Sequence, residues 1–389
     1  MRKFKLKKRL GIFLLAAAGL FAFGVFSSQS FKPFEYVKNE SASVSEALAQ
    51  PDAPKHIQTP KPVKAIYMTS WVAGTPGWRS QLVKLVEETE LNAIVIDVKD
   101  YTGRISFSVS DPVLQEIGSV EERIPDIKDF INQLHQKNIY AIARISVFQD
   151  PYLTKKRPDL AVKRGDGGVW KDRKGITWVD PASREIWDYT VRIAKEAEKV
   201  GFDELNFDYV RFPSDGNMRD IKYDFWDEKT PPAEIMRDFF IYLRTGLNPI
   251  QVPLSVDLFG MTTTNTDDLN IGQILEYAEP YFDFISPMVY PSHYPPTFNG
   301  FKNPAEHPYE IIFQAMTRAS ERLIAATSTP DKLRPWLQDF DLGADYTPEM
   351  IRKEKQAVYD AGLTSWMLWN AANKYTKGAL DKTTEVQPP

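Results

Sequence analysis

The sequence predicts an α/β fold of the (β/α)8 TIM-barrel class, built as a single domain behind an N-terminal hydrophobic segment and a flexible stalk. From Val63 onward, short apolar runs rich in β-forming residues alternate with longer amphipathic runs. The strand candidates are nearly continuously apolar, as expected for parallel strands that are covered by helices. No G-x-G-x-x-G or Walker sequence follows the first strand, which weakens an open doubly wound sheet as the alternative.

The alternation supplies eight strand candidates and seven helix candidates. The predicted strands cover residues 64–71, 93–100, 140–148, 203–212, 252–259, 282–290, 333–340 and 365–370. The predicted helices cover residues 81–89, 124–137, 183–200, 232–247, 268–278, 309–327 and 348–361. Pro348 begins the candidate at 348–361 and Gly362 follows its end, while Gly201 follows the candidate at 183–200, so several boundaries carry ordinary start and stop signals.

The N-terminus has the order of a targeting segment. Residues 1–10 include six basic and no acidic residues, and residues 10–26 contain no charged residue. This is the order of a signal peptide, although an apolar run of 17 residues is also at the lower limit for a membrane-spanning helix. Residues 25–27 form a poor cleavage site, so a cleaved signal and an uncleaved anchor both stay open. Either one predicts an extracytoplasmic protein, secreted or anchored to the cell membrane by residues 10–26.

Four segments follow from composition and periodicity. Residues 1–26 are the signal peptide or membrane anchor, and residues 27–62, rich in Ser, Ala, Pro and Gln, are predicted to be a flexible linker. Residues 63–375 form the predicted barrel, and residues 376–389 a loose C-terminal tail. The length of 389 residues, which allows two or three domains, is therefore assigned to one barrel on a stalk.

Composition excludes several kinds of chemistry. The chain has no cysteine and only four histidines, which excludes disulfides, thiolate metal ligands and a cysteine nucleophile. No cluster of His and carboxylates at ligand spacing is present, so we predict no metal and no other cofactor. Without residues 1–10, the chain carries 42 basic against 52 acidic residues, a formal charge of −10. A body this acidic is a poor partner for a phosphate backbone, so no nucleic acid is expected.

Polar and aromatic residues stand at the ends of the predicted strands, where TIM barrels carry their active sites. The candidates are Asp97 and Asp100 on the second strand, Arg144 on the third, Asn206, Asp208 and Arg211 on the fourth, Asp257 on the fifth, Tyr290 and His293 after the sixth, Trp336 and Gln338 on the seventh, and Trp369 and Asn370 on the eighth. Glycoside cleavage needs one acid and one nucleophilic or basic carboxylate. Aromatic rings stack on the apolar faces of sugars, so this inventory fits a polysaccharide or oligosaccharide substrate.

Each candidate also has a purely structural interpretation. Asp97 has Lys99 beside it on the same predicted face and could form a core ion pair. Trp336, Trp369 and Tyr290 could fill the barrel, and His293 could fix its loop by a hydrogen bond. The functional interpretation depends on the convergence of these side chains at one mouth rather than on any one of them.

The motifs also resemble a known family. The segments IDVKDYTGRISF, ARISVFQDPYL, WVDPASREIWDYT, GFDELNFDYVRFPSDG, ISPMVYPSHY, RPWLQDF and WMLWNAANKY are together similar to the bacterial "putative glycosyl hydrolase domain" family, a glycoside-hydrolase-like TIM barrel. The resemblance runs from about residue 63 to 375. By analogy with the wider glycoside hydrolase barrels, it implies a catalytic carboxylate at Asp208 and a partner at Asp257. Many relatives have Glu at the second position, so the general acid stays open between Asp257, Asp97 and Asp100.

Two functions remain in competition. In the first, an extracytoplasmic glycoside hydrolase uses Asp208 as nucleophile or base, Asp257 as general acid and Asp97 as a third carboxylate that tunes the pair. Arg144 and Arg211 then hold Asp208 ionised or bind substrate. In the second, the barrel is a saccharide-binding or scaffold protein of the cell envelope without catalysis. A lyase or transferase on the same barrel is a weaker third possibility.

Overall fold

The computed structural model describes residues 54–382. The predicted signal or anchor at residues 1–26 and most of the predicted linker lie outside this range, as does the end of the predicted tail. Within the described residues, no helix is long and apolar enough to cross a membrane.

The described chain forms a closed barrel of parallel strands, which confirms the predicted fold class. The strands found in residues 54–382 are β1 (Lys64–Met68), β2 (Ala93–Lys99), β3 (Tyr140–Ser146), β4 (Lys163–Arg164), β5 (Glu204–Asp208), β6 (Ile221–Lys222), β7 (Leu254–Phe259), β8 (Phe284–Met288), β9 (Trp336–Gln338) and β10 (Trp366–Trp369). Around the barrel the order is β1-β10-β9-β8-β7-β5-β3-β2, and β4 pairs antiparallel with β6 in a separate two-stranded sheet. This small sheet, which the sequence did not predict, is built from the loops that follow β3 and β5.

The helices that cover the barrel follow the strands as predicted, with short additional helices in the loops. They are α1 (Ser70–Ala73), α2 (Pro76–Glu88), α3 (Pro112–Ile117), α4 (Ile127–Gln136), α5 (Pro151–Lys156), α6 (Arg184–Lys199), α7 (Pro232–Gly246), α8 (Leu275–Ala278), α9 (Pro308–Ala325) and α10 (Pro348–Asp360).

The predicted helix at residues 268–278 is mostly wrong, because only Leu275–Ala278 is helical. Leu269, Asn270 and Gly272 have positive φ angles of 55°, 55° and 82°, which belong to the left-handed region and interrupt a right-handed helix. The predicted strand at 333–340 shrinks to Trp336–Gln338. Pro335, which precedes it, has no N–H to donate to a ladder.

The two faces of each strand bury different clusters, as the period of two requires. In β1, Ala65 and Tyr67 point into the barrel interior, while Ile66 and Met68 belong to the larger core between strands and helices. At the N-terminal end of the barrel, the interior contains a buried ion pair in which Arg334 Nη1 lies 2.9 Å from Glu204 Oε2. The interior is therefore packed at that end, which leaves the opposite end for a cavity.

Contacts with the barrel extend beyond residues 63–375 on both sides. Ile57 donates its backbone N–H to Asp203 Oδ1 over 2.9 Å and packs on the barrel interior. On the other side, Thr376 Oγ1 bonds Asp339 over 2.7 Å, and Lys355 Nζ donates to the carbonyl of Ala379 over 2.9 Å. Residues 57–62 and 376–379 thus pack against the barrel, and their hydrogen bonds satisfy buried polar groups of the domain.

Candidate active site

Arg144 is the centre of a buried charge cluster at the C-terminal mouth of the barrel. It stands near the end of β3, and its side chain is 6% exposed. Nη1 donates to Asp97 Oδ1 over 2.6 Å, Nη2 donates to Asp208 Oδ2, and Nε lies 3.9 Å from Asp257 Oδ2. One guanidinium therefore contacts the three carboxylates that the sequence singled out as candidate catalytic residues.

One carboxyl oxygen of Asp257 accepts two hydrogen bonds. Asn206 Nδ2 and Trp336 Nε1 both donate to Oδ1, each over 2.9 Å. Burial, and next the negative charge of Asp208, raise the pKa of Asp257 to about 8. The carboxyl is consequently protonated at neutral pH, and because Oδ1 already accepts two hydrogen bonds, the proton belongs on Oδ2.

Asp208 ends β5 and is fixed by two different contacts. Its Oδ2 accepts from Arg144, and its Oδ1 accepts from the backbone N–H of Tyr209 over 2.6 Å. Tyr209 has a φ of 54°, an unusual conformation for a large side chain. This turn lets the strand stop at the mouth and directs the next backbone N–H back to the carboxylate, an example of local strain at a candidate functional position.

Asp97 lies deeper and is enclosed by polar partners. Tyr67 donates its hydroxyl to Oδ2, and Arg144 donates to Oδ1. Burial raises the pKa of Asp97 to about 6 even though the nearby guanidinium of Arg144 acts in the opposite direction. Asp97 does not line the cavity, so its contacts position Arg144 and Tyr67.

The predicted pairing of Asp97 with Lys99 on one face is wrong. The register between β2 and β3 shifts after Asp97, and Lys99 pairs with Ile145 instead of continuing the interior row. Lys99 Nζ forms a buried ion pair with Asp150 Oδ2 at 2.9 Å. This register shift, a β-bulge between Asp97 and Lys99, places the two side chains on different faces of the strand. Asp97 pairs with Arg144 instead.

A cavity of about 470 Å³ opens above the cluster. Its lining combines charged, aromatic and small residues from six barrel strands and the loops that follow them. The lining residues are Arg144, Lys174, Asp208, Tyr209, Arg211, Asp257, Phe259, Gly260, Met261, Met288, Tyr290, His293, Tyr294, Trp336 and Trp369. A cavity of this volume, with apolar walls and a few convergent polar groups, is typical of a small-molecule or sugar site.

Aromatic side chains form one wall of the cavity. The ring of Trp369 stacks on Tyr67 with centroids 3.9 Å apart, and Trp336 meets Trp369 edge-on at 5.5 Å. Tyr290 packs edge-on against His293 at 5.3 Å. Partial burial and the positive charge of Lys174 lower the pKa of His293, which stands at the rim and is neutral at pH 7. These rings offer apolar faces beside the carboxylates.

Arg211 lies on another side of the same cavity. Its guanidinium is 4.7 Å from the ring centroid of Trp178 and 4.7 Å from that of Phe259. Nη1 donates to the carbonyl of Phe212 over 3.0 Å and to Ser214 Oγ over 3.1 Å. The sequence predicted that Arg211 holds Asp208 ionised or binds substrate. The structure gives the contact with Asp208 to Arg144 instead, and Arg211 lines the cavity.

Four predicted substrate-binding residues lie outside the cavity lining. Asn206 donates to Asp257, as described above, and the other three form contacts with loops. Asp100 binds Arg123 and Thr102 within the loop after β2. Gln338 accepts from the backbone N–H and the hydroxyl of Ser292, at 3.2 Å and 2.8 Å. Asn370 donates to the carbonyl of Asp339. Asp100, Gln338 and Asn370 hold loops in place at the mouth, and Asp100 lies outside the cavity that Asp208 and Asp257 line.

Sequence reasoning missed several residues that the structure places in or beside the site. Tyr67 could have been found, because the period of two in β1 places it on the interior face. Lys174 and Tyr294 come from long loops without regular structure, where the sequence gives no periodic signal. Among residues 54–382, no group of three or more His, Asp or Glu side chains is arranged to hold a metal ion.

Comparisons with known proteins agree with the class that this barrel and its site define. Residues 65–375 match the model of the family described as "Putative glycosyl hydrolase domain". The match covers well over half of the chain, so the protein belongs to this family of glycoside-hydrolase-like TIM barrels. A comparison with curated proteins gave no match.

Several solved structures are similar to this chain. A hypothetical protein from Ruminiclostridium thermocellum ATCC 27405 is 36% identical over 49% of this chain and 96% of its own, with a TM-score of 0.45. The glycoside hydrolase domain of PgaB (BpsB) from Bordetella bronchiseptica is 13% identical over 79% of this chain and 94% of its own, with a TM-score of 0.58. The α-L-fucosidase isoenzyme 2 from Paenibacillus thiaminolyticus is 10% identical over 82% of this chain and 47% of its own, with a TM-score of 0.56. At these low identities, the last two matches establish the fold alone.

Proposed function

We propose that the protein is a glycoside hydrolase that cleaves O-glycosidic bonds of an envelope or extracellular polysaccharide with two carboxylates. The observation that carries the proposal is the different surroundings of two carboxyl groups that line one cavity. Burial raises the pKa of Asp257 to about 8, so that this group favours the protonated state at neutral pH, whereas Asp208 forms an ion pair with Arg144. One acid in each state is what hydrolysis of a glycosidic bond requires.

The proposed reaction begins with proton transfer from Asp257 Oδ2 to the glycosidic oxygen, which breaks the bond to the leaving sugar. Asp208 acts on the sugar carbon that is left electron-poor, either by attacking it directly or by activating a water molecule that attacks it. Trp369 and Trp336 provide ring surfaces for the sugar, and Tyr290 brings a hydroxyl to the same cavity. Each role is assigned to a side chain that lines the cavity.

Arg144 supports both acids during this cycle. Its Nη2 donates to Asp208 Oδ2 and thereby fixes the position of this carboxylate in the cavity. Its Nε has no hydrogen-bond partner among residues 54–382 and lies 3.9 Å from Asp257 Oδ2. When Asp257 loses its proton to the leaving group, this N–H lies beside the oxygen that gave up the proton, and a small movement brings the two into hydrogen-bond contact.

The test is a screen of the full-length protein against polysaccharides with α and β linkages, with reducing ends and product masses measured over time. We expect time-dependent release from at least one polysaccharide. In the same screen, Asp208→Asn should lose cleavage. Asp129→Asn is its matched control, because Asp129 is an exposed carboxylate on α4, and this protein should cleave at the wild-type rate. No release from any polysaccharide by the folded protein contradicts the proposal.

A second function, that of a saccharide-binding barrel without catalysis, has one specific observation in its favour. The Asp208 side chain is only 7% exposed and is held by Arg144, as in a structural ion pair. This function predicts that oligosaccharides bind while no reducing ends appear over long incubation. The same screen therefore decides between the two, provided that binding is measured by calorimetry for each polysaccharide that is not cleaved.

We also propose that the protein works outside the cytoplasm, where such polysaccharides occur. The support is the basic run at residues 1–10 followed by the uncharged residues 10–26. Fractionation of cells that produce the full-length chain, with a variant that lacks residues 1–26, tests this point. The full chain should appear in the membrane or extracellular fraction, and the shortened chain should remain in the cytoplasm.

A further inference from the structure

The guanidinium of Arg211 is a buried cation without a carboxylate partner. The residue is 8% exposed, and no Asp or Glu oxygen of residues 54–382 lies within 4.0 Å of its nitrogens. The other buried arginines of residues 54–382 are paired with carboxylates, as Arg144, Arg322 and Arg334 are. A buried charge without a counter-ion is costly, so this position calls for an explanation.

One edge of this guanidinium is available to a ligand. Nη1 is used by the carbonyl of Phe212 and by Ser214 Oγ. Nε and Nη2 form no hydrogen bond with any described residue, yet neither is sealed away from solvent. Since Arg211 lines the cavity, Nε and Nη2 are the donors that it has left for a ligand there. The rings of Trp178 and Phe259 hold the plane of the guanidinium in place.

The charge of the cavity wall is positive, in contrast to the rest of the chain. Arg144, Lys174 and Arg211 contribute three cations, and Asp208 and Asp257 are the acids of the lining. Arg144 is paired with Asp208 and with Asp97, which lies behind the lining, whereas Arg211 and Lys174 form no ion pair with any residue of the range 54–382. The chain as a whole has a formal charge of −4, so this local excess of positive charge is a property of the site and not of the protein.

We propose that the cavity binds a saccharide that carries an anionic group, and that Arg211 with Lys174 binds this group while Asp208 and Asp257 act on the glycosidic bond. The inference rests on the proposed function in treating this cavity as the saccharide site. An arginine edge with two parallel donors matches a carboxylate, such as that of a uronic acid, and also matches a sulfate ester. Lys174, exposed at the rim, adds charge without a fixed geometry.

The experiment compares charged oligosaccharides with neutral partners of the same backbone. The probes are oligosaccharides of hyaluronan, alginate and polygalacturonate, each beside its carboxyl-reduced form, and of κ-carrageenan beside its desulfated form. Binding is measured by calorimetry with the full-length Asp257→Asn protein, in which a neutral amide replaces the protonated acid and slows cleavage. We expect the charged member of at least one pair to bind ten- to a hundredfold more tightly than its neutral partner. The pair that shows this preference distinguishes a carboxylate from a sulfate.

Variants assign the preference to the named residues. Arg211→Gln should remove most of the preference, whereas Arg219→Gln, the same change at an exposed arginine outside the cavity, should keep it. Lys174→Gln should reduce the preference severalfold, and Arg173→Gln next to it should not. Because Lys174 is exposed, its substitution leaves the core intact, so the test does not depend on the folding of Arg211→Gln.

The outcomes separate this inference from the proposed function. Equal binding within all pairs, or binding of no probe, overturns the inference. If the wild-type protein cleaves neutral polysaccharides with no preference for charged ones, the glycoside hydrolase stands and the anionic substrate falls. If a charged oligosaccharide binds selectively through Arg211 but is never cleaved by the wild type, the anionic ligand stands and the catalytic proposal falls.

Discussion

Arg144 Nε lies 3.9 Å from Asp257 Oδ2, buried and without a hydrogen-bond partner among residues 54–382. A buried N–H without an acceptor costs free energy in the ground state. That cost is offset once Asp257 becomes a carboxylate, because the N–H then faces a full negative charge. The pair is therefore arranged for the state of Asp257 that follows proton transfer, which agrees with its proposed role as general acid.

The pH dependence of activity should follow the protonation of Asp257. A general acid must hold its proton, and burial raises the pKa of Asp257 to about 8. We expect kcat/KM to be maintained at neutral pH and to fall tenfold per pH unit above about 8. Initial rates across pH 5 to 10 on a cleaved substrate check this. A rate that rises steadily through pH 8 and above contradicts the assignment of Asp257 as the acid.

The raised pKa of Asp257 should also make the free energy of unfolding decrease as pH rises. The folded pKa of Asp257 is raised above the value of an unfolded aspartate, so its contribution is fully present below about pH 4 and is lost as pH rises to about 8. Relative to Asp257→Asn, the free energy of unfolding of the wild type should therefore decrease across this window. Urea unfolding of both proteins at several pH values measures the difference. Parallel curves contradict a raised pKa.

Removing the guanidinium of Arg144 should destabilise the barrel strongly. Arg144→Met leaves Asp97 and Asp208 without their common cation in a buried place, and breaking such an ion pair costs about 3–5 kcal/mol. Denaturant unfolding measures the loss. Arg173→Met, at an exposed position, should change stability by less than about 0.5 kcal/mol. If Arg144→Met lowers the free energy of unfolding by no more than Arg173→Met does, the ion pairs of Arg144 do not form in the folded protein.

Trp369 should contribute to binding more than to chemistry. Its ring lines the cavity and is held by stacking on Tyr67. We expect Trp369→Ala to raise KM about tenfold or more while kcat falls less, because a stacking surface acts on substrate and transition state alike. Trp71→Ala, at a tryptophan that is 58% exposed and outside the cavity, is the control. An unchanged KM for Trp369→Ala contradicts a sugar platform at this position.

The Tyr290 hydroxyl offers a test that leaves the fold intact. It lines the cavity and forms no hydrogen bond with any described side chain or backbone group, so its loss removes no internal contact. Tyr290→Phe should keep the midpoint of thermal unfolding and reduce kcat/KM by roughly tenfold if the hydroxyl bonds the substrate. If Tyr290→Phe has full activity and an unchanged unfolding midpoint, the Tyr290 hydroxyl does not bond the substrate and the ring serves only in packing.

The barrel and the central acids were predictable because they depend on periodic signals. Asp208 and Asp257 stand on interior faces at strand ends, and the period of two together with the polarity of barrel strands is enough to place them. Arg144 was placed on a strand for the same reason. Its three carboxylate contacts were not predictable, since distances across a barrel do not follow from spacing along the chain.

The errors have local physical causes. The shift of register after Asp97 turned Lys99 away from the interior row, and bulges have no reliable sequence signal. Asp100, Gln338 and Asn370 lie at strand ends as predicted, but hydrogen bonds with loop residues use their polar atoms. The unpaired donors of Arg211 could not be predicted from the sequence either, because only the folded structure shows which guanidinium lacks a carboxylate partner.

The rate at which Asp208→Asn releases reducing ends, compared with the wild type on one cleaved polysaccharide, tests the central claim most directly. Asparagine keeps the shape of Asp208 but can neither attack the sugar carbon nor take a proton from water. We predict that the rate falls by roughly 10²–10⁴-fold or more, while circular dichroism shows that the barrel remains folded. A folded Asp208→Asn protein that cleaves at the wild-type rate contradicts the account.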